Sequence, residues 1–213
     1  MEFIDADTEL YALEHSTVQD SVLEQIAENT RQHLDSPSMM IGQLEGMFLE
    51  MLVFAIKPDR VLEIGTFSGY SCISMAKGLK PGATIDTLEN DNKHVEIAKA
   101  HIKQAGLEKV ITIREGDARQ TIQKLTGPYQ FIFIDADKTG YEHYLKYALE
   151  LLSPDGIIAV DNTLWSKRVL DPTDSTEDTL ALRDFNNKLS KRTDIRVVIS
   201  TIRDGVTLIR KTT

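Results

Sequence analysis

Four short runs in this chain end at a polar residue or a glycine, and this repeated pattern constrains the fold more than any other feature. The runs are Val61–Gly65, Asp86–Glu89, Phe131–Asp135 and Ile157–Asn162. In an open α/β sheet, ligands bind in the crevice beyond the carboxyl ends of the strands. The side chains at these ends are therefore predicted to converge on one pocket.

Length and composition indicate one ordinary globular domain. The chain has 213 residues, of which 41% are hydrophobic and 27% are charged, enough to bury a substantial core. We expect a single domain over residues 1–213, with a helical segment at 1–57 and an α/β core at 58–213. The formal net charge of −9 argues against a general binder of phosphate backbones, which needs a basic surface. Nucleic acid is therefore not an expected partner.

The first residues give no sign of export or of a membrane anchor. They are acidic, and no basic region followed by an apolar stretch is present. No later run approaches membrane-spanning length. Cys72 is the only cysteine, which excludes an intrachain disulfide and a thiolate metal cluster. We expect a cytoplasmic protein that has no membrane partner.

The alternation of strand and helix patterns predicts a parallel sheet. Helices are expected at 7–14, 18–34 and 44–56, where apolar residues recur at helical spacing. From Arg60 onward, short β-branched runs alternate with helical stretches, which is typical of βαβ units. The predicted strands are 60–64, 84–89, 110–114, 130–135 and 157–161, and the predicted helices are 70–79, 91–105, 117–125 and 139–152.

After Asp161 the alternation ends. A polar loop is predicted over 165–176 and a helix over 177–191. Two further β-rich runs, 195–202 and 206–211, flank the Asp204-Gly205 pair. An Asp-Gly pair between such runs favours a hairpin over another crossover.

The first predicted βα turn contains Gly65 and Gly69, preceded by Glu63. Gly65 allows a sharp exit from the strand, and Gly69 allows close approach at the helix start, where backbone amides can bind oxygen atoms. The middle glycine of the dinucleotide fingerprint is missing, which disfavours pyrophosphate docking. Glu63 suits the cationic part of an amino-acid group better than a diphosphate. A purely structural tight turn stays open as the alternative.

Glu89 ends the second predicted strand, at the distance where an acidic side chain commonly accepts hydrogen bonds from ribose hydroxyls. The alternative is a capping or surface carboxylate. Together with Gly65 and Gly69, Glu89 favours nucleoside binding. Gly116-Asp117-Ala118, after the third strand, could lie along an adenine edge, although Asp117 is equally suited to be a helix N-cap.

The ends of the fourth and fifth strands predict a cation site. Asp135, Asp161 and Asn162 could supply about half of an octahedral oxygen shell and leave room for water or a bidentate substrate on Mg²⁺. Zinc is disfavoured, because no histidine or cysteine accompanies them. The alternative, that these acids cap the helices that follow, explains them one at a time but not their clustering.

Lys138 follows Asp135 by three residues and is a candidate general base. A free lysine, with a reference pKa of about 10.4, is a poor base at neutral pH. A neighbouring cation would lower the pKa of Lys138. A solvated surface lysine is the alternative, because most lysines lie at the surface.

Other residues carry weaker signals. The histidines have no metal-ligand spacing and are predicted to be surface residues. Four methionines on or before the third helix are predicted to fill the core: Met39, Met40, Met47 and Met51. The segment from Met39 to Gly42 could form one wall of the cleft. Trp165, just beyond Asn162, could pack in the core or flank a planar substrate, and its position favours the second interpretation.

From about residue 38 to the C-terminus the chain resembles the cation-dependent O-methyltransferases of the caffeoyl-CoA and catechol type, which use S-adenosylmethionine. The segments that carry this resemblance are Leu62–Ser71, Phe131–Lys138 and Asp161–Trp165. The resemblance implies a Rossmann-like methyltransferase fold. Its sheet is doubly wound, mostly parallel and seven-stranded, with an antiparallel last strand, and the protein is expected to be a homodimer.

The resemblance also implies roles for particular residues. The methyl-donor site would be lined by Ile41, Glu63, Gly65, Thr66, Ser71, Glu89, Ala118 and Asp137. Mg²⁺ or another divalent cation would be held by Asp135, Asp161 and Asn162. Lys138 would be the base, and Trp165 and Ser166 would contact a small phenolic substrate. Plant members have Thr in place of Ile41 and Asn in place of Ser166.

The implied reaction transfers a methyl group to one hydroxyl of a catechol-like, vicinal-diol acceptor. A nicotinamide-dependent oxidoreductase would share the early βαβ pattern but leaves Asp135, Asp161 and Asn162 unexplained. A catalytically silent nucleoside- or metal-binding module and an RNA methyltransferase of the same fold remain alternatives.

Overall fold

The computed structural model describes residues 5–212, and its central feature is a seven-stranded sheet. The strands are β1 (Arg60–Ile64), β2 (Thr84–Glu89), β3 (Ile111–Glu115), β4 (Tyr129–Ile134), β5 (Leu152–Val160), β6 (Ile195–Ser200) and β7 (Val206–Lys211). Their order across the sheet is β3-β2-β1-β4-β5-β7-β6. Strands β1 to β5 pair in parallel, and β7 is antiparallel to both β5 and β6. This arrangement confirms the predicted fold class.

The helices of the described chain occupy the predicted regions. They are α1 (Ala6–Glu14), α2 (Ser21–His33), α3 (Gln43–Ile56), α4 (Tyr70–Lys77), α5 (Asn92–Gln104), α6 (Ala118–Thr121), α7 (Tyr141–Leu151) and α8 (Glu177–Leu189). The acidic N-caps Asp20 and Asp91 fix the starts of α2 and α5, because their side chains accept hydrogen bonds from backbone amides in the first turn.

Two predicted boundaries were wrong by several residues. Strand β5 starts at Leu152 rather than at residue 157, because Leu152 already pairs with Tyr129 before a register shift. Gly156 therefore lies inside the strand, where a β-carbon would come within 2.6 Å of the Leu152 side chain. The helix predicted over 117–125 is also shorter than expected, since α6 gives way to a 3₁₀ turn at Ile122–Lys124.

The core lies on both faces of the sheet, and strand β4 joins its two halves. Phe131 and Phe133 pack on one face with residues of α2, α3 and α4. Ile132 and Ile134 pack on the other face with residues of α7 and α8. A parallel strand covered on both sides has no solvent-facing row, which explains the unbroken apolar run Phe131–Ile134 within β4.

Helix α3 connects the N-terminal segment to the sheet. Gly46 allows its close approach to α4, since a β-carbon there would lie 2.9 Å from the Ser74 hydroxyl oxygen. Leu49 and Val53 are fully buried in the core. Within the described residues, Pro37–Ile56 is also the one segment long and apolar enough to cross a membrane, with a mean hydropathy of 1.6. Only 28% of this segment is buried: Leu49 and Val53 face the core, whereas Met51 and Phe54 are exposed. The expectation that no run approaches membrane-spanning length was therefore wrong for this segment.

Candidate active site

A wide cleft opens beyond the carboxyl ends of the parallel strands. Hydrogen bonds between neighbouring strands continue one residue past the ends of β4 and β5. Asp135 N donates to Ile64 O at 2.9 Å, and Asp161 N donates to Ile134 O at 2.9 Å. The strand ends are therefore level with one another. The cleft has a volume of about 1370 Å³, larger than the roughly 300–1,000 Å³ of a site for one small ligand. It has room for two ligands side by side.

Most of the residues predicted from the sequence to form the site line this cleft. They are Ile41, Gly65, Thr66, Ser71, Glu89, Ala118, Asp135, Asp137, Lys138, Asn162, Trp165 and Ser166. Glu63 and Asp161 lie directly behind the lining and are fully buried. The structure thus brings the whole predicted set to one edge of the sheet.

The cleft has two halves, one beside Glu63 and Glu89 and the other beside Asp135 and Lys138. Gly65 sets the distance between them. Its backbone is left-handed, with φ 102°, and a β-carbon on it would lie 1.8 Å from the carbonyl oxygen of Asp135. No other residue fits without moving the end of β4. The turn after β1 therefore abuts the start of the loop that carries Asp135 and Lys138. Gly69, with φ 82°, forms the N-cap of α4.

Glu63 is a buried carboxyl group at the floor of one half of the cleft. Its Oε2 accepts a 2.5 Å hydrogen bond from the Thr87 hydroxyl, which in turn contacts the Thr66 hydroxyl at 2.6 Å. Its Oε1 has no hydrogen-bond partner among the described residues. Burial raises the pKa of Glu63 to about 8, against the opposing effect of the nearby Ser71 and Thr87 hydroxyl groups. An unpartnered buried carboxyl oxygen invites a cationic hydrogen-bond donor.

Glu89 is held by backbone amides at the end of β2. Its Oε2 accepts from Phe67 N at 2.8 Å, and its Oε1 accepts from Asn90 N and Asp91 N. His94 Nδ1 lies 3.6 Å from Oε1, and the His94 ring meets the Phe67 ring edge-on. A carboxylate has about four acceptor positions, so Glu89 keeps capacity for a hydroxyl group.

Asp117, Arg119 and Asp137 form a polar, partly exposed part of the lining in the half of the cleft that contains Glu89. Asp117 is the N-cap of α6, since its side chain accepts from Arg119 N at 2.8 Å, so the capping interpretation of Asp117 is correct. Asp137 accepts hydrogen bonds from Tyr144, Thr139 and Arg119. Burial opposes ionisation of Asp137, but these bonds outweigh it and lower the pKa of the carboxyl group.

Lys138 lies in the other half of the cleft and is buried, with 9% exposure. Its ammonium group donates to Asn162 Oδ1 at 2.7 Å, to Asp135 Oδ1 at 3.2 Å and to the Tyr141 hydroxyl at 2.6 Å. This placement excludes the alternative of a solvated surface lysine. It also shows that Asp135 and Asn162 present their oxygen atoms to one positive charge.

Asp161 lies behind the lining of the half of the cleft that contains Lys138. Its Oδ1 accepts from Asn162 N at 2.6 Å, and Asn162 has left-handed backbone with φ 55°. Burial raises the pKa of Asp161, and the nearby carboxylates of Glu45 and Asp135 add to this effect. Neither Asp135 nor Asp161 caps a helix, so the capping alternative does not describe them.

The donor set fits a hard cation rather than zinc. Between residues 5 and 212, no group of three or more His, Cys, Asp or Glu side chains is arranged to hold a metal ion. Two carboxylates and one amide are oxygen donors of the type that Mg²⁺ prefers. The Lys138 ammonium between Asp135 and Asn162 acts as a stand-in cation in the structure.

The loop after β5 forms an outer wall of the cleft. Trp165, Ser166 and Lys167 all have left-handed backbone, with φ of 49°, 48° and 65°. The Asp204 carboxylate accepts a hydrogen bond from Ser166 N. The Lys138 ammonium lies 5.6 Å from the centre of the Trp165 ring. Further along, Arg183 of α8 donates to the carbonyl groups of Val169, Asp174, Arg168 and Asp171 and so fixes the loop.

Some predictions about single residues were wrong. His101 is buried rather than exposed, with Nδ1 2.8 Å from Ser68 O and Nε2 2.8 Å from Asn29 Oδ1. Burial lowers its pKa. Met39 and Met51 are largely exposed rather than buried in the core. Met39, Met40 and Ile41 do line the cleft, as a wall of the site.

Sequence reasoning missed several residues that shape the site. Tyr141 contacts Lys138, and Arg203 pairs with the buried Glu45. His94 and Phe67 border Glu89. A carboxylate in the first turn of an otherwise apolar helix is the one signal that could have identified Glu45. Arg203 lies in a hairpin turn, where a charged residue carries no signal of burial.

Comparisons with known proteins agree with this geometry. Residues 13–212 match the O-methyltransferase family. The chain is 35% identical to caffeoyl-CoA O-methyltransferase from Populus kitakamiensis, covering 96% of this chain and 90% of that protein. It is 34% identical to catechol O-methyltransferase from Niastella koreensis over 81% of this chain and 80% of that protein.

Solved structures agree as well. The structure of the methyltransferase PaMTH1 from Podospora anserina, determined with SAH bound, superimposes with a TM-score of 0.92, at 29% identity and with 99% of this chain and 97% of that chain covered. These matches exclude the oxidoreductase alternative and confirm the predicted resemblance. The protein belongs to the S-adenosylmethionine-dependent O-methyltransferase family.

Proposed function

We propose that this protein transfers a methyl group from S-adenosylmethionine to one hydroxyl of a catechol-like small molecule, in a reaction that depends on a divalent cation. The observation that carries the proposal is the position of the Lys138 ammonium between Asp135 and Asn162, beside the half of the cleft that contains Glu63 and Glu89. In this proposal a base, a cation site and a nucleoside site would share one cleft.

The donor half fits S-adenosylmethionine group by group. Glu63, with its unpartnered Oε1, would accept from the amino group of the donor, and Ser71 and Thr66 lie beside it. Glu89 would accept from the ribose hydroxyls. Gly65, Ala118, Asp137 and Ile41 would complete the wall. The solved relative with SAH bound supports a donor of this type.

The acceptor half fits a planar phenol. Asp135, Asp161 and Asn162 would hold Mg²⁺ or another divalent cation, and Trp165 and Ser166 would flank the aromatic ring. When bound, the donor supplies an electrophilic methyl group and the cation supplies charge stabilisation for the acceptor oxygen. The printed names of the Populus and Niastella relatives support a caffeoyl or catechol acceptor.

The chain's own residues would perform the remaining steps. Lys138, in its neutral form, would take the proton from the acceptor hydroxyl at Nζ. Tyr141 would keep that amine in place, because its hydroxyl accepts from Lys138 and donates to Asp161 O at 2.9 Å. Gly65 would set the spacing between donor and acceptor, and positioning of this kind contributes up to roughly 7–11 kcal/mol.

The first test is formation of S-adenosylhomocysteine across a panel of catechols, caffeoyl esters and non-catechol phenols, with Mg²⁺ or with EDTA. We expect turnover confined to vicinal diols and lost in EDTA. Asp161→Ala should abolish this turnover and leave donor binding intact. Turnover of monophenols in EDTA would refute the cation-dependent mechanism. Donor binding without any turnover would favour the silent module, and methylation of RNA fragments alone would favour the RNA enzyme.

We also propose a cytoplasmic homodimer built from one domain. Leu10, Tyr11, Met51 and Phe54 expose apolar side chains on α1 and α3, two helices in contact with each other, and a second copy would cover them. Helices α2 and α3 share a core cluster with β1 and β4, which supports one domain. Sedimentation of the double variant Met51→Glu, Phe54→Glu should give a monomer; an unchanged dimer would remove this face from the interface.

A further inference from the structure

The loop after β5, the outer loop of the cleft, is supported by the turn between β6 and β7. Thr163 N donates to Gly205 O at 3.0 Å, and Leu164 N donates to Asp204 O at 3.0 Å. The Asp204 carboxylate accepts a third hydrogen bond, from Ser166 N. A β-carbon on Gly205 would lie 2.5 Å from the Leu164 side chain. The turn and the first residues of the loop are therefore in direct contact.

The same turn is anchored to the N-terminal wall of the cleft, which residues 39–41 form. Arg203 Nη1 donates to Oε2 of the buried Glu45 at 3.1 Å, and Nη2 donates to Met40 O at 3.0 Å. Glu45 belongs to helix α3. Because Arg203 connects the turn to this wall and to α3, the turn is a fixed support from which Asp204 can hold the outer loop.

The Asp204 carboxylate binds the middle residue of a run of three left-handed residues. Trp165, Ser166 and Lys167 have φ of 49°, 48° and 65°, a conformation that side chains of these types rarely adopt. Strained backbone of this kind persists only where surrounding contacts hold it, and it is frequent at ligand sites. Hydrogen bonds to an ionised carboxylate are stronger than those to a neutral oxygen. Asp204 is thus placed to hold the run in this conformation.

The run carries Trp165, the aromatic residue of the proposed acceptor half. The centre of its ring lies 5.6 Å from the Lys138 ammonium. The indole Nε1 is buried and has no hydrogen-bond partner among the described residues, so packing against the core and the loop backbone set the position of the ring. Ser166 N belongs to the peptide group that joins Trp165 to Ser166. The contact with Asp204 therefore acts on the Trp165 backbone directly.

We propose that Asp204 is a positioning residue for the methyl acceptor. Its carboxylate holds the peptide group between Trp165 and Ser166, and so keeps both residues in the lining of the cleft with the Trp165 ring near Lys138. Asp204 acts on the acceptor through these two residues. This inference rests on the acceptor half of the proposed function.

The first test uses the fluorescence of Trp165, which is the only tryptophan of the chain. Asp204→Ala should shift its emission to longer wavelength and raise its acrylamide quenching constant about twofold or more, because a loop that loses its support opens locally. Asp204→Asn keeps an oxygen atom that can accept from Ser166 N, so its emission should stay close to that of the wild type. This measurement needs neither methyl donor nor acceptor.

The second test separates acceptor binding from donor binding, with the best catechol or caffeoyl acceptor of the panel. Asp204→Ala should raise the acceptor KM about tenfold, since a hydrogen bond to a charged group contributes at least about that factor. We expect kcat to stay within about threefold, because the loop contacts the acceptor alike before and during the reaction. Asp204→Asn should raise KM only about threefold, since the bond is weakened rather than lost. The Kd of S-adenosylhomocysteine should stay within about twofold in both variants.

Further variants test whether the effect belongs to this contact. Asp194→Ala removes an exposed carboxylate next to the start of β6 and should leave both the quenching constant and the acceptor KM unchanged. In a Trp165→Ala background, Asp204→Ala should raise KM by less than about twofold, because residues that act through each other are not additive. Asp204→Asn keeps the shape of the side chain, so it tests the inference even where Asp204→Ala does not fold.

Two results would overturn the inference. One is an acceptor KM that stays at the wild-type value in the Asp204 variants that fold. The other is an equal loss of donor and acceptor binding together with a lowered melting temperature, which would make Asp204 a general structural residue. A wild-type protein that methylates no acceptor of the panel would instead refute the proposed function. Quenching in the free protein would then still decide whether Asp204 holds Trp165, so the two failures are distinguishable.

Discussion

The buried carboxyl group of Glu63 predicts that donor binding depends on pH in a defined way. Its pKa is raised to about 8 by burial, so at pH 7 the free protein holds it mainly in the protonated form. The amino group of S-adenosylhomocysteine is cationic at this pH, and it pairs with the carboxylate rather than the acid. If Glu63 pairs with this amino group, we expect donor binding to require loss of the Glu63 proton.

The size of the effect follows from the titration of Glu63. With a pKa of about 8, the ionised fraction is about 1% at pH 6 and about 9% at pH 7. The Kd of S-adenosylhomocysteine should therefore fall by nearly tenfold between these pH values, which corresponds to about 1.3 kcal/mol. At pH 7, each binding event should release about 0.9 proton from Glu63.

Titration calorimetry in two buffers of different ionisation enthalpy measures both quantities. Glu63→Gln is the control, because it keeps the shape of the side chain and removes the titration. We expect weaker binding in this variant, with no pH dependence between pH 6 and 7. A wild-type Kd that stays constant over that range, with no proton released, would refute a buried protonated Glu63 at the donor site.

Four further predictions address other parts of the molecule. Lys138→Met should lower kcat by about 10²- to 10⁴-fold without weakening Mn²⁺ binding, since it removes a competing ammonium group; reduced Mn²⁺ affinity in calorimetry would contradict this. Gly65→Ala should lower the melting temperature and abolish donor binding, whereas Gly82→Ala, also at positive φ but with nothing within 4 Å of its β-carbon, should cost only the roughly 1–2 kcal/mol of left-handed backbone in chemical denaturation; equal losses would refute the steric argument. Arg183→Met should raise the acceptor KM several-fold at constant donor Kd, because the outer loop loses its carbonyl contacts; an unchanged KM would separate that loop from the acceptor. Glu63→Gln should flatten the stability profile between about pH 4.5 and 8, because a carboxyl group with a raised pKa in the folded state loses its stabilising effect as pH rises through that window, and a melting-temperature series that keeps its wild-type slope would contradict it.

The sheet and its strand ends were predictable because both signals are local in the sequence. A buried parallel strand such as Phe131–Asp135 is an apolar run followed directly by a polar residue. The topology then brings all such ends to one edge. Asp135, Asp161 and Asn162 could therefore be grouped from the sequence without any knowledge of their contacts.

The missed features depend on contacts between distant parts of the chain. The start of β5 at Leu152 depends on pairing with Tyr129, and the burial of His101 depends on Asn29 of α2 and on Ser68. Arg203 and Glu45 belong to different ends of the chain. No local periodicity or spacing encodes such pairs. Sequence patterns therefore predicted the residues at the strand ends and missed those, such as Glu45 and Arg203, that pack around them.

The contact between Gly65 and the carbonyl oxygen of Asp135 has a consequence for how this enzyme can diversify. Both partners are main-chain groups, so substitution of neighbouring side chains does not change the separation of the donor and cation halves. We therefore expect differences in acceptor choice to arise from the outer loop and the N-terminal wall. Exchanging residues 163–176 between relatives should transfer acceptor preference as a unit, while the methyl-transfer geometry stays constant.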